Sequence, residues 1–190
     1  IDYRAVCDKN TVINLTNHSY FNLAGHDGGH IYGHILEMDA PFYTPANADG
    51  IPTGEIIAVK DTPFDFCSAP KAIGKDIHSA LTQMQQFGGY DHNFVLRGVG
   101  YRKVATVTEP ESGRVMTVHT DLPGVQFYTA NHMNGEIPYK DGVKYPKHGG
   151  FCLETQFFPN APNTPWFPSS VFAAGEEYTS TTTYQFSILS

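Results

Sequence analysis

Residues 151–156 constrain the fold more than any other stretch, because their side chains alternate with a period of two. In an extended strand the odd-numbered residues lie on one face, and Cys152, Glu154 and Gln156 lie on the other. Two glycines precede the segment and a proline-rich loop follows it, so we expect a strand in the middle of a sheet. A glutamate there loses part of its hydration, which raises its pKa towards the range of a general base. The alternative is a solvent-facing Glu154 on a half-exposed strand.

Short strand patterns separated by glycine and proline recur along the chain, which holds 18 Gly and 13 Pro in 190 residues. Apolar residues make up 41% and aromatic residues 13%, which is enough for the core of one turn-rich, all-β domain. One helix is predicted over residues 71–87, where apolar residues from Ile73 to Met84 recur at spacings of four and three before a glycine pair. The other predicted strands are 1–6, 11–23, 35–38, 55–59, 90–96, 103–108, 114–120, 125–129 and 177–189.

The charge balance argues against nucleic-acid and membrane partners. The formal net charge is −7 and the isoelectric point is near 5.6, so no basic face for nucleic acid or anionic lipid is expected. No apolar run approaches the roughly 18 residues that a membrane helix needs.

Cysteine and histidine spacing gives no support for a metal centre. Three cysteines lie far apart and match neither a disulfide framework nor a C-x-x-C motif, so we expect reduced thiols in a cytoplasmic protein, with a single remote pair left open. His26, His30 and His34 share a glycine-rich loop, but no carboxylate or thiol stands at ligand spacing from them. We therefore predict no metal.

Three polar segments interrupt this apolar, strand-rich chain: residues 17–20, residues 91–93, and Glu154 with Gln126 upstream. An imidazole and a carboxylate together are the ingredients of general acid–base chemistry near neutral pH. Amides, an aspartate and aromatic faces suit a hydroxyl-rich ligand, and the combination points to a sugar. Taken singly, each has a structural explanation: His18 as a core histidine, Asp91 as a turn residue and Gln126 as a surface amide.

Four longer blocks resemble the signature segments of the aldose 1-epimerase (galactose mutarotase) family. They occur in the family's order and span nearly the whole chain, and the shorter IPTGE at 51–55 and GEEY at 175–178 are also similar. The four blocks are NLTNHSYFNLAG at 14–25, GGYDHNFVL at 88–96, LPGVQFYTAN at 122–131 and YPKHGGFCLETQFFPNAPN at 145–163.

This resemblance implies a galactose mutarotase-like β-sandwich with a carbohydrate cleft on one concave sheet. It implies His18 as the general acid and Glu154 as the general base, with no metal or cofactor, and a monomer when the protein is full length. The residues that it implies for sugar binding are Ser19, Tyr20, Asp91 and Gln126.

One part of the family pattern has no match in this sequence. In the family, an Asn-Arg pair and a second histidine from the N-terminal half complete the sugar site. The chain also opens directly on a strand-like segment. We therefore expect residues 1–190 to be the C-terminal portion of one aldose 1-epimerase domain that lacks N-terminal strands.

The predicted function is an isomerase that interconverts the α and β anomers of free aldohexoses such as galactose and glucose. A base takes the C1 hydroxyl proton while an acid protonates the ring oxygen, and each contributes ~10²–10⁴-fold. One alternative is a glycoside hydrolase that uses Asp91 and Glu154 as its two carboxylates. Another is a non-catalytic carbohydrate-binding module. An epimerase of phosphorylated hexoses is disfavoured, because Lys and Arg are sparse near the motifs.

Overall fold

The computed structural model describes residues 1–189, which fold into short antiparallel strands joined by long loops, so the all-β prediction is confirmed. The strands in this range are β1 (Asp2–Val6), β2 (Thr11–Val12), β3 (Ile35–Met38), β4 (Phe42–Thr44), β5 (Ile57–Ala58), β6 (Lys71–Ala72), β7 (Asp91–Val95), β8 (Arg102–Thr108), β9 (Arg114–Thr120), β10 (Gly124–Tyr128), β11 (Cys152–Gln156), β12 (Val171–Phe172) and β13 (Glu177–Ile188).

The strands of residues 1–189 form two large sheets and the small pair β12-β2. Sheet I has the strand order β1-β13-β9-β8-β3-β6, and sheet II has the order β11-β10-β7-β4-β5. One hydrophobic cluster joins the sheets, with Val107 and Met116 from sheet I and Phe94, Phe127 and Leu153 from sheet II. Two sheets over a shared core form the predicted sandwich, and the predicted hairpin of residues 103–120 is confirmed as β8 and β9.

The helix predicted over residues 71–87 is wrong over most of its length. Only α1 (Thr82–Phe87) is α-helical. It ends at Gly88, as predicted, and this glycine has a left-handed conformation with φ 66°. Upstream, Lys71 and Ala72 pair with β3 instead, and Gly74 packs on Tyr32 so closely that an added Cβ would lie 2.9 Å from the Tyr32 Cα atom. Tertiary pairing thus overrides the helical spacing of the apolar residues. Four 3₁₀ turns are also found in the described range, at Ile31–Gly33, Ile73–Lys75, Lys140–Gly142 and Ala161–Asn163.

Within residues 1–189, no helix combines the length and apolarity needed to cross a membrane.

Strand β11 is buried although it lies at the end of sheet II in the described range, where a central position was predicted. All five of its residues are buried. The loop that follows β2 covers its outer side: Phe21 and Phe151 exchange backbone hydrogen bonds of 2.8 and 2.9 Å. Farther along, the Asn14 side chain accepts a hydrogen bond from the Phe157 N–H and donates one to its carbonyl, at 2.8 and 3.0 Å. The loop therefore takes the place of a neighbouring strand along this edge.

The strand predicted over residues 11–23 is correspondingly short, since only Thr11 and Val12 are extended in a ladder. The asparagine side chains of this segment bond to the backbone in place of a neighbouring strand. Asn17 Oδ1 accepts from the Ser19 N–H at 3.1 Å, and Asn22 Oδ1 accepts from the Ala24 N–H at 3.0 Å. Such local bonds compete with sheet formation and favour turns.

The start of β7 is held by hydrogen bonds to the Tyr90 backbone. Its N–H donates to Thr129 Oγ1 at 3.0 Å, and its carbonyl accepts from Asn131 Nδ2 at 2.9 Å. The Thr129 hydroxyl is also 2.7 Å from Asn131 Oδ1. Gly89 lies directly against these two side chains. This anchor fixes where Asp91, the next residue, enters sheet II.

We expect Gly89→Ala to destabilise the protein more than Gly100→Ala. Both glycines have positive φ, 150° and 74°, which costs an alanine about 1–2 kcal/mol. An added Cβ at Gly89 would also lie 2.8 Å from Thr129 Oγ1 and press on Asn131 Oδ1, whereas at Gly100 it would meet no described atom within 4 Å. The Gly89 variant should lose about 1–3 kcal/mol more free energy of unfolding in urea denaturation. Equal losses would contradict the anchoring role.

Candidate active site

The candidate site lies on the face of sheet II that points away from the shared core. Side chains alternate along β10 and β11: Phe127 and Leu153 point into the core, and the residues next to them on each strand point to the opposite face. The antiparallel register aligns these outward residues across β7, β10 and β11. Two rungs result, with Asn93, Gln126 and Glu154 in one and Asp91, Tyr128 and Cys152 in the other.

A cavity of about 440 Å³ opens over these rungs. Five of the six predicted site residues line it: His18, Tyr20, Asp91, Gln126 and Glu154. The sixth, Ser19, is exposed and is not among the lining residues. Its backbone N–H closes the local turn on Asn17.

The His18 imidazole lies between an aromatic ring and the strand that carries the glutamate. It stacks on Tyr20 with ring centroids 5.2 Å apart and an interplanar angle of 22°. Its Nε2 atom is 3.5 Å from Glu154 Oε1, and its Nδ1 atom is 3.4 Å from Cys152 Sγ. The His18 side chain is 53% exposed, so the imidazole is open to a ligand in the cavity.

Glu154 is the buried partner of this pair, with 8% of its surface exposed. Burial raises the pKa of Glu154, as predicted; the nearby His18 opposes this shift, and the nearby Asp91 adds to it. The half-exposed alternative for Glu154 is therefore wrong. A carboxylate with a raised pKa, in contact with an imidazole, is suited to exchange protons with a ligand.

A ladder of amides connects Asp91 to the rest of the sheet. Gln126 Nε2 donates to Asp91 Oδ1 at 2.8 Å. The Gln156 amide donates to Gln126 Oε1 at 3.2 Å and to Asn93 Oδ1 at 3.0 Å. The Gln156 side chain on β11 reaches Asn93 on β7 by passing over Gly124 of β10, which has no side chain. A Cβ added at Gly124 would lie 2.6 Å from Asn93 Oδ1. The ladder fixes which end of the Gln126 amide faces Asp91.

The pKa values of Asp91 and Tyr20, which also line the cavity, are raised. Burial raises the pKa of Asp91, against the opposing effects of the Gln126 hydrogen bond and of nearby His132 and His18. Burial also raises the pKa of Tyr20 to about 12, with further contributions from Cys152, Tyr128 and Glu154. Tyr20 therefore keeps its hydroxyl proton and can donate a hydrogen bond to a ligand.

Four further residues line the cavity and were not predicted as site residues: Tyr128, His132, Gln156 and Pro159. The period of two already places Gln156 on the face of Glu154, and it could have identified Tyr128, two residues from Gln126, in the same way. His132 and Pro159 lie on loops, where alternation carries no information about direction.

One cluster in the described range has the geometry to hold a metal ion. Single ligand atoms of His18, Cys152 and Glu154 all lie within 4.8 Å of one another. The three loop histidines considered from the sequence have separate partners instead. His34 Nε2 accepts from the Leu23 N–H and His30 Nδ1 donates to the Lys147 carbonyl, both at 3.0 Å, and His26 Nε2 is 3.5 Å from Asp141 Oδ2. Burial raises the pKa of the Cys152 thiol, so it is a neutral thiol in this environment.

Comparisons with known proteins agree with one another. A family model described as aldose 1-epimerase matches residues 1–185. Galactose mutarotase from Bos taurus is 46% identical over 191 residues, which is 99% of this chain and 54% of that protein. Aldose 1-epimerase from Escherichia coli K12 is 37% identical over 190 residues, 98% of this chain and 54% of that protein. The chain thus spans about half the length of the curated relatives it matches.

Solved structures show the same similarity in three dimensions. The GalM/aldose epimerase homologue from C. elegans superimposes with a TM-score of 0.83 at 27% identity, covering 100% of this chain and 55% of that chain. Galactose 1-epimerase from Lactobacillus acidophilus NCFM gives a TM-score of 0.82 at 27% identity, covering 100% of this chain and 53% of that chain.

The two neighbours of Glu154 should shift its pKa in opposite directions. Asp91→Asn removes a negative charge and should lower the Glu154 pKa, whereas His18→Asn removes the imidazole and should raise it. Carbon-13 NMR titration of labelled glutamate carboxyls measures both shifts. Ser19→Ala, which removes an uncharged side chain outside the cavity lining, should leave the pKa unchanged. Shifts of the same sign in the two charged-site variants would disprove this account of the site.

Proposed function

Since the chain belongs to the aldose 1-epimerase family, we propose that it interconverts the α and β anomers of free aldohexoses such as galactose and glucose. The observation that carries this proposal is the 3.5 Å contact between His18 and Glu154 beside the Asp91–Gln126 pair. The similarity to galactose mutarotase from Bos taurus supports galactose as one substrate.

Ring opening needs one proton to leave the sugar and one to arrive. The Glu154 carboxylate accepts the proton of the C1 hydroxyl, and protonated His18 donates a proton to the ring oxygen. The bond between C1 and the ring oxygen breaks, and O1 becomes the carbonyl oxygen of the open-chain aldehyde.

Ring closure reverses these proton transfers after rotation about the C1–C2 bond. The C5 hydroxyl attacks the other face of the aldehyde and returns its proton to His18, while Glu154 returns its proton to O1. Both residues end in their starting states, so protons balance over the cycle and no redox step is involved.

The arrangement of the site suits this chemistry. The ring oxygen and O1 are both bonded to C1, so the acid and the base have to lie close together, as His18 and Glu154 do. Asp91 and Gln126, held by the amide ladder, can bond sugar hydroxyls without losing their relative orientation. Holding the ring in one orientation converts the proton transfers into steps within one complex.

The two alternative functions, a glycoside hydrolase and a sugar-binding module, predict different experimental results. A glycoside hydrolase would use Asp91 and Glu154 and would leave the His18 contact without a role. A binding module would hold the sugar without accelerating its mutarotation. The names of the relatives favour the epimerase, and a nitrophenyl galactoside that stays intact in the presence of the protein would argue against the hydrolase.

Location and assembly are further proposals. Three free cysteines in the described range fit a reducing, cytoplasmic environment. A monomeric full-length protein stays a prediction.

In the full-length enzyme, Glu154→Gln should abolish the exchange of anomers and leave sugar affinity within about tenfold. The amide keeps the shape of the side chain but cannot accept the C1 proton, which removes a contribution of ~10²–10⁴-fold. Polarimetry of freshly dissolved α-galactose measures the rate, and calorimetry measures affinity. Glu37→Gln, at an exposed position on sheet I, is the matched control and should behave as the parent protein. Retention of more than roughly a tenth of the rate by Glu154→Gln would exclude Glu154 as the base.

The rate should fall in acid at a higher pH than an ordinary glutamate would give. Glu154 must be ionised to accept a proton, and burial raises its pKa, so activity is lost as the pH drops through that raised value. An unperturbed glutamate titrates near pH ~4.3. In Asp91→Asn the acidic limb should move to lower pH, because the charge that raises the Glu154 pKa is gone. A profile of kcat/KM, which reports groups of the free enzyme, that stays flat down to about pH 4 would contradict the assignment.

A further inference from the structure

The Cys152 thiol contacts His18, and the proposed proton transfers do not use it. It lies on β11 two residues before Glu154, on the same face, with its Sγ atom 3.4 Å from His18 Nδ1. A thiol, an imidazole and a carboxylate therefore meet at the edge of the cavity, which His18 and Glu154 line, with single ligand atoms within 4.8 Å of one another.

We propose that His18, Cys152 and Glu154 bind Zn²⁺ and that the bound ion inhibits the enzyme. The inhibition rests on the proposed function, whereas the binding of the ion does not.

The three ligand atoms lie within 4.8 Å of one another, so a turn of the His18 ring brings them to the spacing of a tetrahedral ion. Zn–N and Zn–O bonds of about 2.0–2.1 Å and a Zn–S bond of about 2.3 Å place ligand atoms roughly 3.3–3.6 Å apart. The contacts of His18 with Cys152 and Glu154 measure 3.4 and 3.5 Å. These contacts use different nitrogens of the His18 ring. To bind one ion, the ring has to turn so that a single nitrogen faces both Cys152 and Glu154. The ring stands on a loop and is 53% exposed, so it can turn by giving up its stacking on Tyr20.

The donor atoms select the kind of metal. Sulfur, nitrogen and oxygen ligands suit zinc and similar transition ions, whereas Mg²⁺ and Ca²⁺ prefer sets made only of oxygen. Three protein ligands leave the fourth tetrahedral position for water or a sugar hydroxyl.

Binding would occupy the atoms that the reaction needs. The ion would take a Glu154 oxygen and a His18 nitrogen, so neither could exchange a proton with the sugar. Coordination replaces the S–H proton of Cys152, which passes to the buffer, and this proton release accompanies metal uptake.

Co²⁺ is the direct probe of the site. Added to the metal-free protein, it should give the thiolate-to-cobalt charge-transfer absorption and the strong visible bands of a tetrahedral complex. Both should disappear in Cys152→Ala and persist in Cys7→Ala, which removes a free cysteine outside the site. In polarimetry, Zn²⁺ should inhibit the parent and Cys7→Ala, and the chelator EDTA should reverse this. For Cys152→Ala the inhibition constant should rise about tenfold or more, since residues that only support a metal ligand are already worth that much.

Each result has a separate meaning. The metal site would be overturned if the parent protein gave no thiolate-to-cobalt band. It would also be overturned if the band were unchanged in Cys152→Ala. If Cys152→Ala fails to fold, His18→Ala on the exposed loop replaces it, and its loss of the cobalt bands is the expected result. A cobalt band in a protein without mutarotase activity would leave the metal site standing and refute the proposed function. Activity that Zn²⁺ leaves unchanged would refute the inhibition and leave the function standing.

Discussion

The register of β7, β10 and β11 is the constraint on which the site depends. Because side chains alternate along a strand, the same register that buries Phe127 and Leu153 also aligns Gln126 and Glu154 on the other face. A slip of one residue would send the glutamate into the apolar core and a leucine into the cavity. The packing of the core therefore fixes the site, and the free energy of burying apolar side chains holds the polar ones in line.

The loop after β2 supplies what the sheet alone lacks. Its backbone pairs with Phe151, its Asn14 side chain bonds the Phe157 backbone, and the same loop brings His18 onto β11. The same loop therefore both covers the edge of β11 and positions the His18 imidazole. The loop keeps water from one side of Glu154 while the cavity keeps the other side open, which accounts for a carboxyl that is buried and still reachable.

Much of this arrangement is predictable from the sequence, and the reasons for the failures are physical. Long alternating runs such as residues 103–120 and 151–156 identify strands, because a period of two has few other interpretations. The helix expected over residues 71–87 is lost because pairing with β3 and the close packing of Gly74 on Tyr32 are tertiary effects. Four of the lining residues escape notice. The alternation places Gln156 beside Glu154 without identifying it as a site residue, and extending it along β10 would have found Tyr128. The directions of His132 and Pro159 depend on loop geometry that no local pattern encodes.

The missing side chain at Gly124 has a mechanical consequence. Strands in a sheet are normally joined only to their immediate neighbours, yet here the Gln156 amide on β11 reaches over β10 to Asn93 on β7. The three strands consequently resist shear as one plate, because sliding β11 along β10 would stretch a bond to a strand that does not move with it. The sheet beneath the cavity is thereby stiffened, so any movement around a bound ligand falls to the loops that carry His18 and His132.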